Sequence, residues 1–136
     1  MAGYSGTPLP NKLGIKAQFR IAFVDLPAQV KTELADSIST CTVVRNGRGR
    51  LDFAMLFVRT QAELKKSFPR FAGRLTPAGM IWVCWPKKTS GVVTDINENH
   101  VRRIGLEAGL VDVKVCAVDD VWSGLKFVIR TKDRKP

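Results

Sequence analysis

The sequence predicts a single three-layer α/β domain, with a mostly parallel sheet of about six strands that ends in an antiparallel hairpin strand. Three observations predict it. Nearly continuous apolar runs, "LDFAMLFV" (51–58) and "MIWVCW" (80–85), have the character of strands covered on both faces. Segments with apolar residues at helical spacing separate them, the alternation expected of parallel strands joined by crossover helices. The last two apolar segments, 111–118 and 125–131, are separated only by "DDVWSG" (119–124), which leaves room for a hairpin but not a crossover.

Taken in order, residues 1–19 are rich in proline and glycine and read as an N-terminal arm, with the α/β domain at 20–131. "FRIAFVDL" (19–26) reads as the first strand. "PAQVKTELADSI" (27–38) opens on Pro27, which suits a helix's first turn, and sets Val30, Leu34 and Ile38 on one face. "CTVVR" (41–45) is expected as a second strand and "NGRGR" (46–50) as a loop. The link from Arg45 to Leu51 is too short for a helical crossover, although an extended crossing at ~3.3 Å per residue would span it.

After the strand at 51–58, Thr60 and Glu63 form a capping-box pattern, followed by Leu64, Phe68, Phe71, Ala72 and Leu75 at helical spacing. Pro69 is expected to kink or split that helix. "TPAG" (76–79) is read as a turn into the strand at 80–85. Asp95 and Glu98 read as caps for a helix carrying Val101, Ile104, Gly105 and Ala108, which Gly109 stops. "VDVKVCAV" (111–118) and "LKFVIRT" (125–131) close the sheet, and residues 132–136 form a basic tail.

A chain of 136 residues is one domain, able to bury roughly two-thirds of its unfolded surface. It contains no apolar run near the ~18 residues of a membrane span, and its start lacks the charged-then-apolar pattern of a signal peptide. Cys41, Cys84 and Cys116 are odd in number, widely separated and set in apolar stretches. That pattern points to reduced thiols in the cytoplasm. With His100 the single histidine, no metal cluster is expected, and no cofactor is assigned.

The net charge of +10 is unevenly placed: residues 45–74 hold eight Lys/Arg against two acids, while 92–121 hold six acids against three bases. Charge of this kind collects anions, nucleic acids included, without specifying one.

The series strand, helix, "LTPAG", strand, helix, "EAGL", strand, hairpin, strand over residues 51–131 resembles the C-terminal half of the Rossmann-like class I methyltransferases. In these the last strand inserts antiparallel beside the fifth. The resemblance implies a cofactor seat after the first strand, made by glycines that let backbone approach S-adenosylmethionine, and an acid ending the second strand that holds the ribose. Neither determinant is present: no glycine occurs between Gly14 and Gly47, and the second strand ends Val44-Arg45-Asn46. "GYSGTPLPNKLGIK", "WPKKTSG…TD" and "GLVDVKVCAVDDVWSGLKF" also resemble a bacterial domain family of unknown function with this compact fold, which implies no activity.

Ligands of open α/β sheets bind beyond the carboxyl ends of the strands. There the sequence places "PKKTSG" (86–91) and "DDVWSG". The expected patch is Trp85, Lys87, Lys88, Thr89, Ser90, Gly91, Trp122, Ser123 and Gly124, with the two tryptophans as neighbours and the two SG pairs adjacent. Such a patch would hold an anion on backbone N–H groups and lysines, with an indole to stack on a base. The plainer alternative has the indoles capping the core while Lys87 and Lys88 pair with Asp119 and Asp120.

Arg45, Arg48 and Arg50 form a second candidate, able to follow a phosphate backbone or simply to be a solvated loop. Asp52 and His100 read as structural, and Ser90 and Ser123 lack a histidine base. The expectation is a non-catalytic accessory or regulatory binding module. Its partner would be an anionic ligand, a nucleic acid or a second copy of the chain, with no membrane. A divergent S-adenosylmethionine-dependent methyltransferase, or a nucleic-acid-binding or structural homo-oligomeric protein, is the alternative.

Overall fold

A computed structural model of the chain describes residues 6–134. The first five residues of the expected arm and the last two of the expected tail lie outside the described residues. The elements are α1 (Leu9–Leu13), β1 (Arg20–Val24), α2 (Ala28–Ile38), β2 (Thr42–Val43), β3 (Leu51–Phe57), α3 (Gln61–Ala72), β4 (Leu75–Pro86), α4 (Glu98–Glu107), β5 (Leu110–Ala117) and β6 (Trp122–Ile129). They build one six-stranded sheet in the order β2-β1-β3-β4-β6-β5. β2, β1, β3 and β4 run parallel, and β6 is antiparallel to both β4 and β5. Among the described residues no helix is long and apolar enough to cross a membrane.

Both faces of the sheet are covered, as the apolar runs require. Along β3, Ala54 and Leu56 face a core shared with Leu64 and Phe68 of α3 and Val101 of α4. Phe53, Met55 and Phe57 face the opposite core, with Val30 and Leu34 of α2 and Leu9 and Leu13 of α1. The stretch read as an arm thus carries a helix with buried leucines. The Trp82 indole N–H fixes that helix by donating to the Leu13 carbonyl at 2.9 Å.

Four local expectations are corrected. The second strand spans only Thr42–Val43, paired with the first two residues of β1. Its shortness explains the crossover: the chain never reaches the carboxyl edge, so residues 44–50 need only pass β1 near its start. α3 runs through Pro69 unbroken. The proline sits in the last turn, where it removes a single intrahelical bond, and buried Phe68 holds that turn to the core. "TPAG" lies within β4 as an irregularity, since pairing jumps from Leu51↔Leu75 to Phe53↔Met80. Asp52 anchors it, accepting from the Thr76 hydroxyl at 3.2 Å and the Arg20 N–H at 2.8 Å.

The fourth concerns caps. Asn97, not Asp95 or Glu98, caps α4: its side chain accepts from His100 N–H at 3.0 Å, and His100 Nδ1 accepts from Asn97 N–H at 3.2 Å. Asp95 instead reaches α3 and accepts from Gln61 N–H at 2.8 Å. Glu98 pairs with Arg102 one turn on, at 2.7 Å.

Candidate functional site

The carboxyl edge is built from the turn after β1, the start of α3, the loop after β4 and the β5–β6 hairpin. β4 ends where Lys87 N–H donates to the Val121 carbonyl at 2.7 Å, tying loop to hairpin. A single 3-10 turn, Lys88–Ser90, follows, and Gly91 closes it at φ 79°. The Ser90 hydroxyl donates to the Lys87 carbonyl at 2.6 Å and accepts from Val92 N–H at 3.1 Å. The Thr94 hydroxyl likewise bonds the Arg59 carbonyl and Ile96 N–H. These hydroxyls shape the loop by satisfying its backbone.

An open hollow of about 600 Å³ lies beyond this edge, and Trp85, Lys87, Lys88, Thr89 and Ser123 line it together with the start of α4. Five residues of the expected patch therefore gather. Ser90, Gly91, Trp122 and Gly124 do not line it. The tryptophans are not neighbours on one surface: Trp85 pairs with Ser123 and Pro86 with Trp122, so the two indoles fall on opposite faces of the sheet. Trp122 packs edge-on against Phe57 at 5.1 Å, beneath the Arg59 guanidinium at 5.2 Å. Gly124 lies against the Trp82 ring, where a Cβ would be 3.1 Å from the indole.

The alternative pairing of lysines with aspartates is also absent among the described residues. Asp119 is buried and accepts from Val121 and Trp122 N–H at 2.9 and 2.8 Å, forming the hairpin turn itself. Both described ion pairs belong to Arg102, with Glu98 and with Asp112 at 3.0 Å. The hydrogen bonds it donates to these carboxylates, to Glu98 first and then to Asp112, raise its pKa. Among the described residues no cluster of three metal-ligating side chains occurs.

After β1 the chain turns at Asp25, whose φ of 54° lies in the left-handed region. Aspartate is one of the few residues besides glycine that tolerates it. Leu26 and Pro27 lead into α2, which has no side-chain cap and no acid in its first turn, leaving its leading N–H groups available to an anionic group. The sharp strand-to-helix turn is therefore present without the glycines. The end of β2 departs from a ribose-binding site: Arg45 stands there, exposed, and no acid follows.

The expected arginine loop lies at the amino edge, remote from "PKKTSG". Arg20 donates to the Arg50 carbonyl at 2.9 Å, and Arg74 donates to the Gly49 and Arg48 carbonyls at 2.9 and 2.6 Å. A second hollow, about 390 Å³, opens beside this loop between residues 43–47 and α3. Sequence reasoning missed Lys31, Arg70 and Arg74 in its wall. The i, i+4 spacing of Lys66 and Arg70, continued by Arg74, was the available signal.

No family model matches the sequence, and no curated protein matches it. Solved structures do match in fold. A 1,6-didemethyltoxoflavin-N1-methyltransferase from Burkholderia thailandensis, with S-adenosylhomocysteine bound, aligns at TM-score 0.60 and 11% identity over 88% of this chain and 73% of that one. A magnesium protoporphyrin IX methyltransferase from Synechocystis PCC 6803 aligns at 0.58 and 10%, over 88% and 78%. A ribosomal-protein methylase from Lactobacillus delbrueckii subsp. bulgaricus aligns at 0.55 and 10%, over 89% and 74%. The likeness is one of fold, that of the class I S-adenosylmethionine-dependent methyltransferases. This finding corrects the expectation of a non-catalytic accessory module, since the solved structures that align with the chain include methyltransferases.

Proposed function

We propose that the chain is a divergent S-adenosylmethionine-dependent methyltransferase domain. The carrying observation is the sheet order β2-β1-β3-β4-β6-β5, with β6 inserted antiparallel, in a chain that aligns over most of its length with methyltransferases. The β1–α2 turn fits the amino-acid end of the cofactor. The first N–H groups of α2 would receive its carboxylate, and Asp25 is the acid available for its ammonium group. The ribose has no acid at the end of β2, so the fit is confined to that turn. When bound, S-adenosylmethionine would supply an electrophilic methyl carbon for an acceptor's lone pair to attack, with the sulfonium sulfur leaving as the thioether of S-adenosylhomocysteine.

The hollow beyond β4 would then receive the acceptor, with Lys87 and Lys88 attracting an anionic one and the buried Trp85 closing the hollow on one side. This deepens the patch expected from sequence while dropping Ser90, Gly91, Trp122 and Gly124 from it. The three free cysteines agree with work in the cytoplasm. The tryptophan-containing motifs support membership of the bacterial family of unknown function that they resemble.

The test is thermal unfolding with S-adenosylhomocysteine, backed by titration calorimetry. Ligand at 100 times its Kd adds ~2.7 kcal/mol, a rise of roughly 3–5 °C in Tm for a domain of this size. Asp25→Ala should reduce the rise. No rise at millimolar ligand would overturn the reading.

A further inference from the structure

The hollow at the arginine loop has an unusual wall. Lys31, Arg45, Arg70 and Arg74 stand around it, and no carboxylate lines it. Its floor is apolar and partly aromatic, with Phe23 and Phe71 half-buried. The guanidiniums of Arg70 and Arg74 lie 5.8 and 5.9 Å from the Phe71 ring centre.

Glu33, two residues from Lys31, makes no ion pair among the described residues, and the acids nearest in sequence to the three arginines, Asp52 and Glu63, are engaged elsewhere. Asp52 holds Arg20 N–H and the Thr76 hydroxyl. Glu63 accepts from Arg59 and Thr60 N–H in the α3 capping box. Among the described residues every ion pair belongs to Arg102, on another helix. Gathered like charges repel and lower stability, and the repulsion is relieved when counter-charge arrives.

Part of the array is also held in place. Arg74 and Arg20 clamp the 48–50 carbonyls, which keeps the exposed Arg45, Arg48 and Arg50 on one short, fixed loop beside the hollow.

We infer that this cleft, between residues 43–47 and the C-terminal half of α3, binds the phosphodiester backbone of a single-stranded nucleic acid. One phosphate carries at most two charges and would leave most of the array unmatched, whereas a strand supplies one charge per nucleotide. The aromatic floor suits an unpaired base, which a duplex does not present. The inference does not rest on methyl transfer, since binding here needs no cofactor.

The experiment is fluorescence anisotropy with labelled twelve-nucleotide oligo-U and oligo-dT at 50–200 mM KCl, without cofactor. Four phosphate contacts predict a slope of about −2.8 in log K against log[salt], so roughly 50-fold weaker binding across that range. Arg45→Ala/Arg70→Ala should halve the slope, leaving about a 7-fold change over the same range. Both side chains are exposed and make no hydrogen bond that holds the loop, and matching thermal melts will confirm that the variant folds. Lys132→Ala/Arg134→Ala removes equal charge elsewhere and should leave the slope near its original value.

Equal losses from the two double variants would reduce the effect to net charge and overturn the inference. So would tighter binding to a duplex of the same length, or full competition by millimolar inorganic phosphate or uridine monophosphate.

Discussion

Gly105 of α4 lies directly against the ring of Phe127 in β6: a Cβ on the glycine would fall 2.5 Å from ring atoms Cδ1 and Cζ. The same ring meets Phe68 of α3 edge-on at 5.4 Å. One aromatic side chain thus joins β6 to two helices, and it can do so only because α4 presents a hydrogen there.

Gly105→Ala should therefore destabilise the fold. At an exposed helical position the change would gain about 0.5–1 kcal/mol. Here overpacking should dominate, for a net loss of roughly 1–3 kcal/mol in urea unfolding. A stabilised variant would show that α4 can shift away from the sheet.

Asp95→Ala should cost about 0.5–2 kcal/mol, the usual range for losing a helix N-terminal acceptor, because Gln61 N–H then has no side-chain partner. Glu98→Ala removes one arm of the Arg102 network on a half-exposed surface and should cost less than about 1 kcal/mol. The reverse order of losses would mean that Asp95 does not tie the loop to α3.

Thiol labelling should separate the three cysteines. Cys84 is buried, and desolvation first, then Cys116 and Asp119, pushes its pKa well up. Desolvation also raises Cys116, partly offset by Lys12, Lys114 and Lys87. Cys41 is only partly buried. A disulfide reagent at pH 8 should modify Cys41 in the native protein and reach the other two only on unfolding. Rapid native labelling of Cys84 would indicate opening of the sheet near β4.

Lys126 carries a pH signature. Desolvation, then Lys114 and Lys16, lowers its pKa in the fold. Between that lowered value and the unfolded value of about 10.4, the unfolded chain binds more protons, so this group's contribution to stability rises with pH. It is fully present above the unfolded value and lost as pH falls through the folded one. Lys126→Met should then raise Tm at pH 7 by roughly 1–3 °C, with the advantage shrinking toward pH 10.5. An advantage independent of pH would assign the gain to packing alone.

The sheet was legible where the signal is local. The apolar runs of β3 and β4, the Thr60–Glu63 box and the stop at Gly109 needed only their own neighbours. The extent of β2 was not legible, because it depends on how far the chain runs beside β1 before an arginine clamp turns it. The tryptophan patch failed on parity: the hairpin register sets Trp85 opposite Ser123, and one residue of shift would have put both indoles on one face. Asp95 misled for a related reason, since an acid before a helix looks like that helix's cap whether or not it bends away to another. The basic cleft needed side chains from three separated segments, of which only the loop stood out in the sequence.

The placement of β6 has a consequence for how the domain is made. Among the described residues it is the last strand in sequence, yet it lies inside the sheet, pairing with β4 on one side and with β5, which has no other described strand partner, on the other. A growing chain emerging at roughly 5–20 residues per second can dock β1, β3 and β4 early. Until residues 122–129 appear, however, the apolar edge of β4 stays bare and β5 has nothing to pair with. That interval is when the nascent chain is most open to pairing with the wrong strand. A chain cut at residue 121 would not be a smaller domain but an open sheet edge.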